Sequence, residues 1–254
     1  MKEWRLIIDG ERSGNENMAV DEAMLIGCEH DLSPSTIRFY GWDVPTLSIG
    51  CFQKVRDYYD RCLLHGIPVV TRITGGRAVL HDMELTYSVV TNDAALFEKG
   101  INGAYRVISG ILLAGLKELG FDAYLNSSRL KKNGSENCFD SASGNEIMIN
   151  NRKVAGSAQK RLKNAFLQHG SIIMDVNRDR LSLVFGDENV SMMDGLNSCM
   201  NISRDTLMKT ILKKFEEGLS IKFVHNGLTH FETDLKERLI KERYSYQDYL
   251  YGRR

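Results

Sequence analysis

The 254-residue sequence predicts an α+β fold in a single domain. Three observations indicate this fold. Short β-rich runs crowd the first third of the chain, several segments have helical spacing, and neither an internal repeat nor a low-complexity linker divides the sequence. A chain of this length can bury a substantial core, although one domain with a small appendage is the alternative that length leaves open.

The predicted strands are short apolar or alternating runs. Six lie in the first part of the chain, at residues 4–8, 36–40, 46–51, 68–71, 78–81 and 85–90. Further along, the segment EIMINNRKVAGSAQ predicts a hairpin with Asn150 and Asn151 at its turn, because asparagine tolerates the left-handed conformation. The segment AFLQHGSIIMDV, residues 165–176, is a further strand candidate.

The predicted helices have apolar residues on one face. They cover residues 17–30, 56–66 and 108–120, and the last two end in a glycine suited to a helix C-terminus. Two more follow in the segments RDTLMKTILKKFEEGL and FETDLKERLIKERYSY. We therefore expect residues 204–254 to be the helical C-terminal part of the domain.

The charge balance argues against a nucleic-acid partner. Lys plus Arg and Asp plus Glu both number 33, and no basic run is long enough to track a phosphate backbone. The chain also lacks the run of about eighteen apolar residues that would cross a membrane, and its N-terminus does not read as a cleavable signal. We expect a cytoplasmic protein that does not interact with membranes.

The cysteines predict free thiols and no metal site. They are five in number and scattered, without a CxxC pair or a histidine at metal-ligand spacing: Cys28, Cys51, Cys62, Cys138 and Cys199. Cys28 and Cys62 lie within apolar stripes, as inert buried cysteines do. Cys138 instead follows the polar segment 126–137 and has polar neighbours, which is more typical of an accessible thiol.

The stretch RITGGRAVLHD, residues 72–82, predicts a backbone cradle between two strands. Gly75 and Gly76 supply positive φ and let a ligand approach backbone N–H groups, and the two arginines add charged donors. A tight β-hairpin turn with two solvated arginines is the alternative. His81 and Asp82 are adjacent on a strand, so we expect one to face the pocket and the other to anchor the loop.

A lysine near Cys138 would activate the thiol. Lys153 follows fifteen positions later in the predicted hairpin, and an ammonium group beside a thiol favours the thiolate. An inert cysteine is equally compatible with the pattern. The small residues at 155–158 permit close approach of a substrate or tight strand packing. For His169 and Gly170 we favour a turn over a ligand-facing position.

These segments, in this order, resemble the lipoate-protein ligase A/B superfamily, which is related in fold to the biotin protein ligases. RITGGRAVLHDMELTYSVV carries the resemblance, together with MAVDEAM, RFYGWDVPTLSIGCFQ and QDYLYGR. Arg77 stands where ATP-using ligases have a third glycine. With CFD, RKVAGSAQ and LQHGSI, the chain is most similar to octanoyltransferases that act on the glycine cleavage H protein. The resemblance implies one catalytic domain over residues 1–254, with mixed, mostly antiparallel sheets flanked by helices.

The resemblance also implies roles for individual residues. Cys138 matches the acyl-accepting nucleophile, and Lys153 matches the lysine that lowers the pKa of this thiol. Eight others would line the acyl and pantetheine site: Arg72, Gly75, Gly76, Arg77, His81, Gly156, Ser157 and Ala158. An eight-carbon chain buried there would contribute about 5 kcal/mol, at ~0.8 kcal/mol per methylene.

The implied reaction moves octanoyl from acyl carrier protein to a lysine of the glycine cleavage H protein, without cofactor or metal, in an enzyme that we expect to be a monomer. Three alternatives remain. The first is an ATP-dependent lipoate-protein ligase, and the second is an amidotransferase that moves octanoyl from H protein to lipoyl domains. The third is a non-catalytic module that binds lipoyl domains.

Overall fold

A computed structural model of the chain describes residues 1–54, 56–126 and 146–245. Cys138 and the QDYLYGR segment lie outside these residues. The described strands are β1 (Lys2–Arg12), β2 (Thr36–Trp42), β3 (Thr46–Ile49), β4 (Val69–Thr71), β5 (Val79–His81), β6 (Glu84–Thr91), β7 (Tyr124–Leu125), β8 (Ile147–Ile149), β9 (Arg152–Arg161), β10 (Phe166–Ile173) and β11 (Ile221–His225).

Seven α-helices accompany these strands in the described part of the chain. They are α1 (Gly14–Glu29), α2 (Arg56–Leu64), α3 (Ala94–Phe97), α4 (Gly100–Glu118), α5 (Arg178–Phe185), α6 (Arg204–Leu219) and α7 (His230–Glu242). Two short 3₁₀ helices follow α5, at Asp187–Met192 and Leu196–Ser198. No helix among the described residues is long and apolar enough to span a membrane.

The strands form two mixed sheets. The larger has the order β11-β1-β2-β6-β10-β9-β8-β7, and the smaller has the order β4-β3-β5. Strand β1 is parallel to β2 and β11, and β3 is parallel to β4, whereas the remaining pairings are antiparallel. The expectation of mixed, mostly antiparallel sheets flanked by helices is confirmed.

The two faces of the larger sheet are covered differently. One face carries the main apolar core, in which Ile108 of α4 and Ile211 of α6 pack with Phe39 and Tyr87 of the sheet. The other face carries both apolar and polar side chains. Helix α1 packs on part of it through two smaller apolar clusters, and Asp21 of α1 accepts a hydrogen bond from Ser88 of β6. The fold therefore leaves a surface of mixed polarity between the larger sheet and the smaller one.

The C-terminal part differs from the sequence prediction. Both predicted helices are present, α6 with the predicted bounds and α7 at His230–Glu242, but the sequence analysis missed β11, which lies between them. The segment IKFVH is only five residues long and directly follows α6, so its local signal is short. Pairing with β1, in which Lys2 lies opposite Ile221, supplies the backbone hydrogen bonds that make it a strand.

Three further expectations or alternatives from the sequence differ from the structure. Gly170 lies within β10, so the segment at His169 is a strand and not a turn. The glycine stretch 72–78 is not a hairpin loop, because β4 and β5 lie on opposite sides of β3. Helix α4 begins at Gly100, eight residues before the predicted start, because the buried face of Ala104 and Ile108 packs on the core despite the weak helix formers before it.

Candidate active site

A cavity of about 810 Å³, part of it open to solvent, lies between the two sheets. Its wall comes from β2, β6, β9 and β10 of the larger sheet, and from β3, β5 and the glycine loop (residues 72–78). Most of the residues that the sequence predicted for the site lie on this wall: Arg72, Gly76, Arg77, His81, Lys153, Gly156, Ser157 and Ala158. Gly75 is in the same loop, and its carbonyl oxygen accepts a hydrogen bond from Arg72. Cys138 lies outside the described residues.

Lys153 is placed by the predicted hairpin. Asn150 and Asn151, with φ of 50° and 60°, make the turn between β8 and β9. The buried Lys153 ammonium then lies 2.7 Å from the carboxylate of Glu146. A methyl group on Gly156 would come within 2.7 Å of Lys153 Nζ, so glycine at this position leaves space for the lysine side chain on the cavity wall.

Arg72 holds the glycine loop from inside. Its guanidinium donates to the carbonyl oxygens of Ser48, Gly75 and Arg77 at 2.7 to 3.1 Å, and only 5% of the residue is exposed. Gly76 has a φ of +90°, which favours glycine. The alternative of two solvated arginines is therefore wrong for Arg72, which shapes the loop through a fork of donors.

Arg77 differs from Arg72 in its hydrogen bonding. The side chain is half-buried on the cavity wall, and its buried Nη1 has no hydrogen-bond partner among the described residues. A buried charged donor without a partner is costly, and a ligand oxygen would satisfy it. Arg77 is thus a candidate contact for a carbonyl or anionic group of a bound molecule.

His81 and Asp82 point to opposite sides, as predicted for neighbours on a strand. The His81 ring bridges the Ser48 hydroxyl, at 2.8 Å, and the Glu84 carboxylate, at 2.6 Å, and it stacks on Trp42 at 3.9 Å between ring centroids. Asp82 forms an ion pair with Arg180 away from the cavity. Burial would raise the pKa of Glu84, but its interactions with His81 outweigh burial and hold the pKa below its ordinary value.

His169 has a matching arrangement on β10. Its Nε2 lies 2.7 Å from the Thr74 hydroxyl and its Nδ1 lies 2.9 Å from Asp21. Burial lowers the pKa of His169, although the bond to Asp21 opposes this. A neutral ring that donates from Nδ1 to Asp21 and accepts at Nε2 from Thr74 fits these distances. Since Arg72 also donates to Thr74 and Ser48, both histidine arrangements meet at the glycine loop.

Asp21 connects this arrangement to a buried charge cluster. It accepts hydrogen bonds from Arg38, Tyr40 and Ser88 in addition to its contact with His169. Burial would raise the pKa of Asp21, but the bond with His169 and the charge of Arg38 outweigh it, so the pKa is lowered. The cluster fixes α1 against β2, β6 and β10 and forms one side of the site.

Ser157 contributes less than its place in the motif predicts. Its hydroxyl lies 2.7 Å from the Tyr87 hydroxyl, and its carbonyl oxygen accepts a hydrogen bond from Tyr105 of α4. Side chains alternate along a strand, so Gly156 and Ala158 face the cavity while the Ser157 hydroxyl turns to the opposite face.

The sequence analysis missed three carboxylates of this site, Asp21, Glu84 and Glu146. Asp21 and Glu84 stand among apolar residues in MAVDEAML and HDMELTYS, and a charged residue inside an apolar run is the signal that marks a buried, paired acid. Glu146 has a weaker signal, because it only precedes the apolar strand Ile147–Ile149. The two buried cysteines behave as predicted. Burial raises the pKa of Cys28 to about 12 and that of Cys62 to about 11, so both remain thiols at neutral pH.

The chain has two mixed sheets with a cavity between them and Lys153 on the cavity wall, and it shares its fold with lipoate-protein ligases of known structure. The sequence of residues 13–216 matches the family defined by the lipoyl protein ligase A/B catalytic domain. The chain belongs to this family.

Relatives and solved structures agree with this assignment. The chain is 41% identical to the octanoyltransferase LipM of Halalkalibacterium halodurans over 96% of this chain and 97% of the relative. It is 37% identical to the octanoyltransferase LipM of Bacillus subtilis over 98% of each. The crystal structure of lipoate-protein ligase A bound with ATP superposes with a TM-score of 0.84, at 25% identity over 98% of both chains. The predicted family is confirmed, and so is the expectation of an acyltransferase.

Proposed function

We propose that this enzyme takes octanoyl from acyl carrier protein onto Cys138 and passes it to a lysine of the glycine cleavage H protein. Octanoyl transfer follows from the full-length octanoyltransferase relatives. The observation that carries the proposal is the cavity between the sheets, which has Lys153 on its wall and apolar side chains further in.

The first step is thioester exchange. The Cys138 thiolate attacks the carbonyl carbon of the octanoyl thioester, the bond to the carrier sulfur breaks, and the carrier leaves as a thiol after taking up a proton. One thioester replaces another, so the step changes the free energy little and needs no ATP. In this proposal the ammonium of Lys153 lies close enough to Cys138 to favour its thiolate.

The second step forms an amide. The ε-amine of the acceptor lysine attacks the acyl-enzyme, the C–S bond breaks, and the amine proton passes to the departing Cys138 sulfur. An amide is more stable than a thioester, so this step gives the reaction its direction. Arg77, with a buried N–H unpaired among the described residues, is a candidate donor to the developing oxyanion or to the carrier's prosthetic arm.

Intact-protein mass spectrometry after mixing the enzyme with octanoyl-acyl carrier protein, without ATP, tests this proposal. We expect an octanoyl adduct that hydroxylamine removes and that Cys138→Ala lacks. The matched control is Cys51→Ala, since Cys51 is an exposed thiol whose backbone N–H bonds the glycine loop at Thr74. This control should keep the adduct. Transfer to H protein should then follow from the isolated acyl-enzyme.

The similarity to an ATP-bound ligase makes ATP-dependent ligation the second candidate. In that case no adduct forms from the carrier thioester, and H protein is modified only when octanoate or lipoate is supplied with ATP. An adduct that survives in Cys138→Ala would assign the nucleophile to another residue. Octanoyl-H protein as donor and a lipoyl domain as acceptor would test the amidotransferase alternative in the same assay.

A further inference from the structure

We propose that Met18, beside Tyr40 and Trp42, closes the inner end of the cavity and sets the length of the acyl chain that this enzyme accepts. The inference rests on the proposed function for the statement that the ligand is an acyl chain. The geometry that supports it concerns the cavity alone.

The floor of the cavity is a row of directly paired residues that crosses the larger sheet. Tyr40 pairs with Thr86, Thr86 with Ser171, and Ser171 with Gly156. Paired residues share one face of a sheet, and all four lie on the cavity wall. Three strand spacings of roughly 4.8 Å make the row about 14 Å long. A chain that lies along it therefore runs from β9 to β2.

The β9 end is the polar end of this row. The Lys153 ammonium lies over Gly156, beside the Glu146 carboxylate, and Arg77 and Ala158 lie on the same part of the wall. A thioester or carboxyl group finds donors at this end. In the proposed arrangement the hydrocarbon tail extends from this end toward β2.

The middle of the floor is polar, but its polar side chains are hydrogen-bonded to one another. The hydroxyls of Thr86 and Ser171 both donate to the Glu84 carboxylate, and the Trp42 indole N–H donates to Thr86 at 2.8 Å. Because these groups are already hydrogen-bonded, a hydrocarbon chain can lie across them without leaving buried donors unpaired.

The β2 end is apolar and closed. Met18, Tyr40 and Trp42 line the cavity there, and behind them they pack in one buried cluster with Ala19, Val70 and Tyr244. The Tyr40 hydroxyl is held by Asp21, and the Trp42 ring is held by Thr86 and by stacking on His81. Met18 is held by packing alone and has a flexible side chain. It is therefore the residue whose size can change the cavity length with least disturbance.

The test measures how binding depends on chain length, by titration calorimetry with free carboxylates of six, eight, ten and twelve carbons. For the wild type we expect affinity to rise about fourfold per methylene up to eight carbons and then to fall. Met18→Ala removes about three heavy atoms from the end of the cavity, so the chain length that binds most tightly should move to ten carbons. The ratio of decanoate to octanoate affinity should rise at least tenfold. Met18→Phe should move the optimum to six carbons.

The matched control is Met24→Ala, the same change at a buried methionine of the same helix. Met24 packs with Val20, Cys28 and Val90 in a different core cluster. It should lose comparable stability and keep the eight-carbon optimum. A folded Met18→Ala enzyme with an unchanged optimum would overturn the inference. If Met18→Ala does not fold, Met18→Val decides by the same ratio.

Parallel acyl-transfer assays separate this inference from the proposed function. A shifted binding optimum without any Cys138 adduct would support the role of Met18 and contradict the transferase mechanism. Normal acyl transfer with an unchanged optimum chain length in Met18→Ala would support the transferase mechanism and contradict the role of Met18. If the wild type bound none of the carboxylates but still formed the Cys138 adduct, the inference about Met18 would be wrong and the proposed function would stand.

Discussion

Lys153 and Glu146 form a buried ion pair, with 2.7 Å between Nζ and Oε1, on the wall of the cavity. The two residues flank the β8–β9 turn, and only about a tenth of each side chain is exposed. The acid therefore fixes where the ammonium lies before any substrate enters. In the proposed mechanism this placement decides how well Lys153 serves the Cys138 thiolate.

Replacing Glu146 by Gln should destabilise the protein and slow acylation. The variant leaves a buried ammonium without its carboxylate, so we expect the free energy of unfolding to fall by about 1–3 kcal/mol. Acylation by octanoyl-acyl carrier protein should slow by roughly tenfold, equal to ~1.4 kcal/mol. Urea unfolding and the initial rate of adduct formation measure the two effects.

The control for this prediction is Asp194→Asn. Asp194 forms an ion pair, at 2.7 Å, with Arg152 of the β8–β9 hairpin, and the arginine side chain is 44% exposed. Loss of this exposed ion pair should cost less than about 1 kcal/mol in the free energy of unfolding and leave acylation unchanged.

A double variant tests the ion pair directly. In Glu146→Gln/Lys153→Met, stability should recover while acylation does not. Equal rates in Glu146→Gln and wild type would show that the ion pair does not position the lysine.

Arg72→Lys should disorganise the glycine loop. A lysine ammonium cannot reproduce the planar fork that reaches three carbonyl oxygens and two hydroxyls, so we expect a loss of about 3 kcal/mol in the free energy of unfolding. Binding of octanoate should weaken as well, because the loop forms part of the cavity wall. Calorimetry and urea unfolding report these changes.

Arg180→Lys provides the comparison for Arg72→Lys. Arg180 of α5 forms a partly exposed ion pair with Asp82, which lies in the next connection, between β5 and β6, and its replacement should change stability by less than about 1 kcal/mol. Similar effects of the two substitutions would refute the special role of Arg72.

Stability should fall as the pH drops from about 7.5 to 5.5, because of His169. Burial lowers the pKa of His169 below its ordinary value of 6.5. As the pH falls through 6.5, this histidine therefore takes up a proton in the unfolded chain before it does so in the folded protein, and the free energy of unfolding decreases. The slope should approach ~1.4 kcal/mol per pH unit for one proton. Above pH 7.5 the imidazole is neutral in both states, and the effect disappears.

Two buried acids of the site, Asp21 and Glu84, affect stability in a lower pH range. The pKa of Asp21 is lowered from 3.8 and that of Glu84 from 4.5, so their contributions persist above these values and are lost only in stronger acid. Urea unfolding of wild type and His169→Gln at pH 5.5 and 7.5 isolates the histidine. The variant should lose most of the difference between the two pH values; an unchanged difference would assign it to other groups.

Much of the fold could be predicted because its signals are local. The β-branched runs became β1 to β6, Asn150 and Asn151 made the expected turn, and the amphipathic segment 204–219 became α6 with the same bounds. The failures occurred where local pattern is weak. Strand β11 is only five residues long, and the start of α4 contains two glycines, so partners elsewhere in the chain decided both.

The candidate site could be predicted only in part. The glycine loop, His81 and Lys153 lie in short motifs, and the sequence identified them as binding or catalytic candidates. The acids that hold them do not share those motifs. Asp21 reaches His169 across 148 positions and Glu84 reaches Ser171 across 87, and no periodicity or spacing rule connects residues so far apart.

By itself, the sequence determined the family, most of the strand and helix content, and the candidate residues of the site, because each depends on neighbouring residues or on ordered motifs. Only the tertiary structure decided that Arg72 supports the loop and that the Ser157 hydroxyl turns away from the cavity. It also decided that Met18 lies at the end of the row from Gly156 to Tyr40. These properties depend on strand order and cross-strand register, which follow from the packing of the whole chain and not from any one segment.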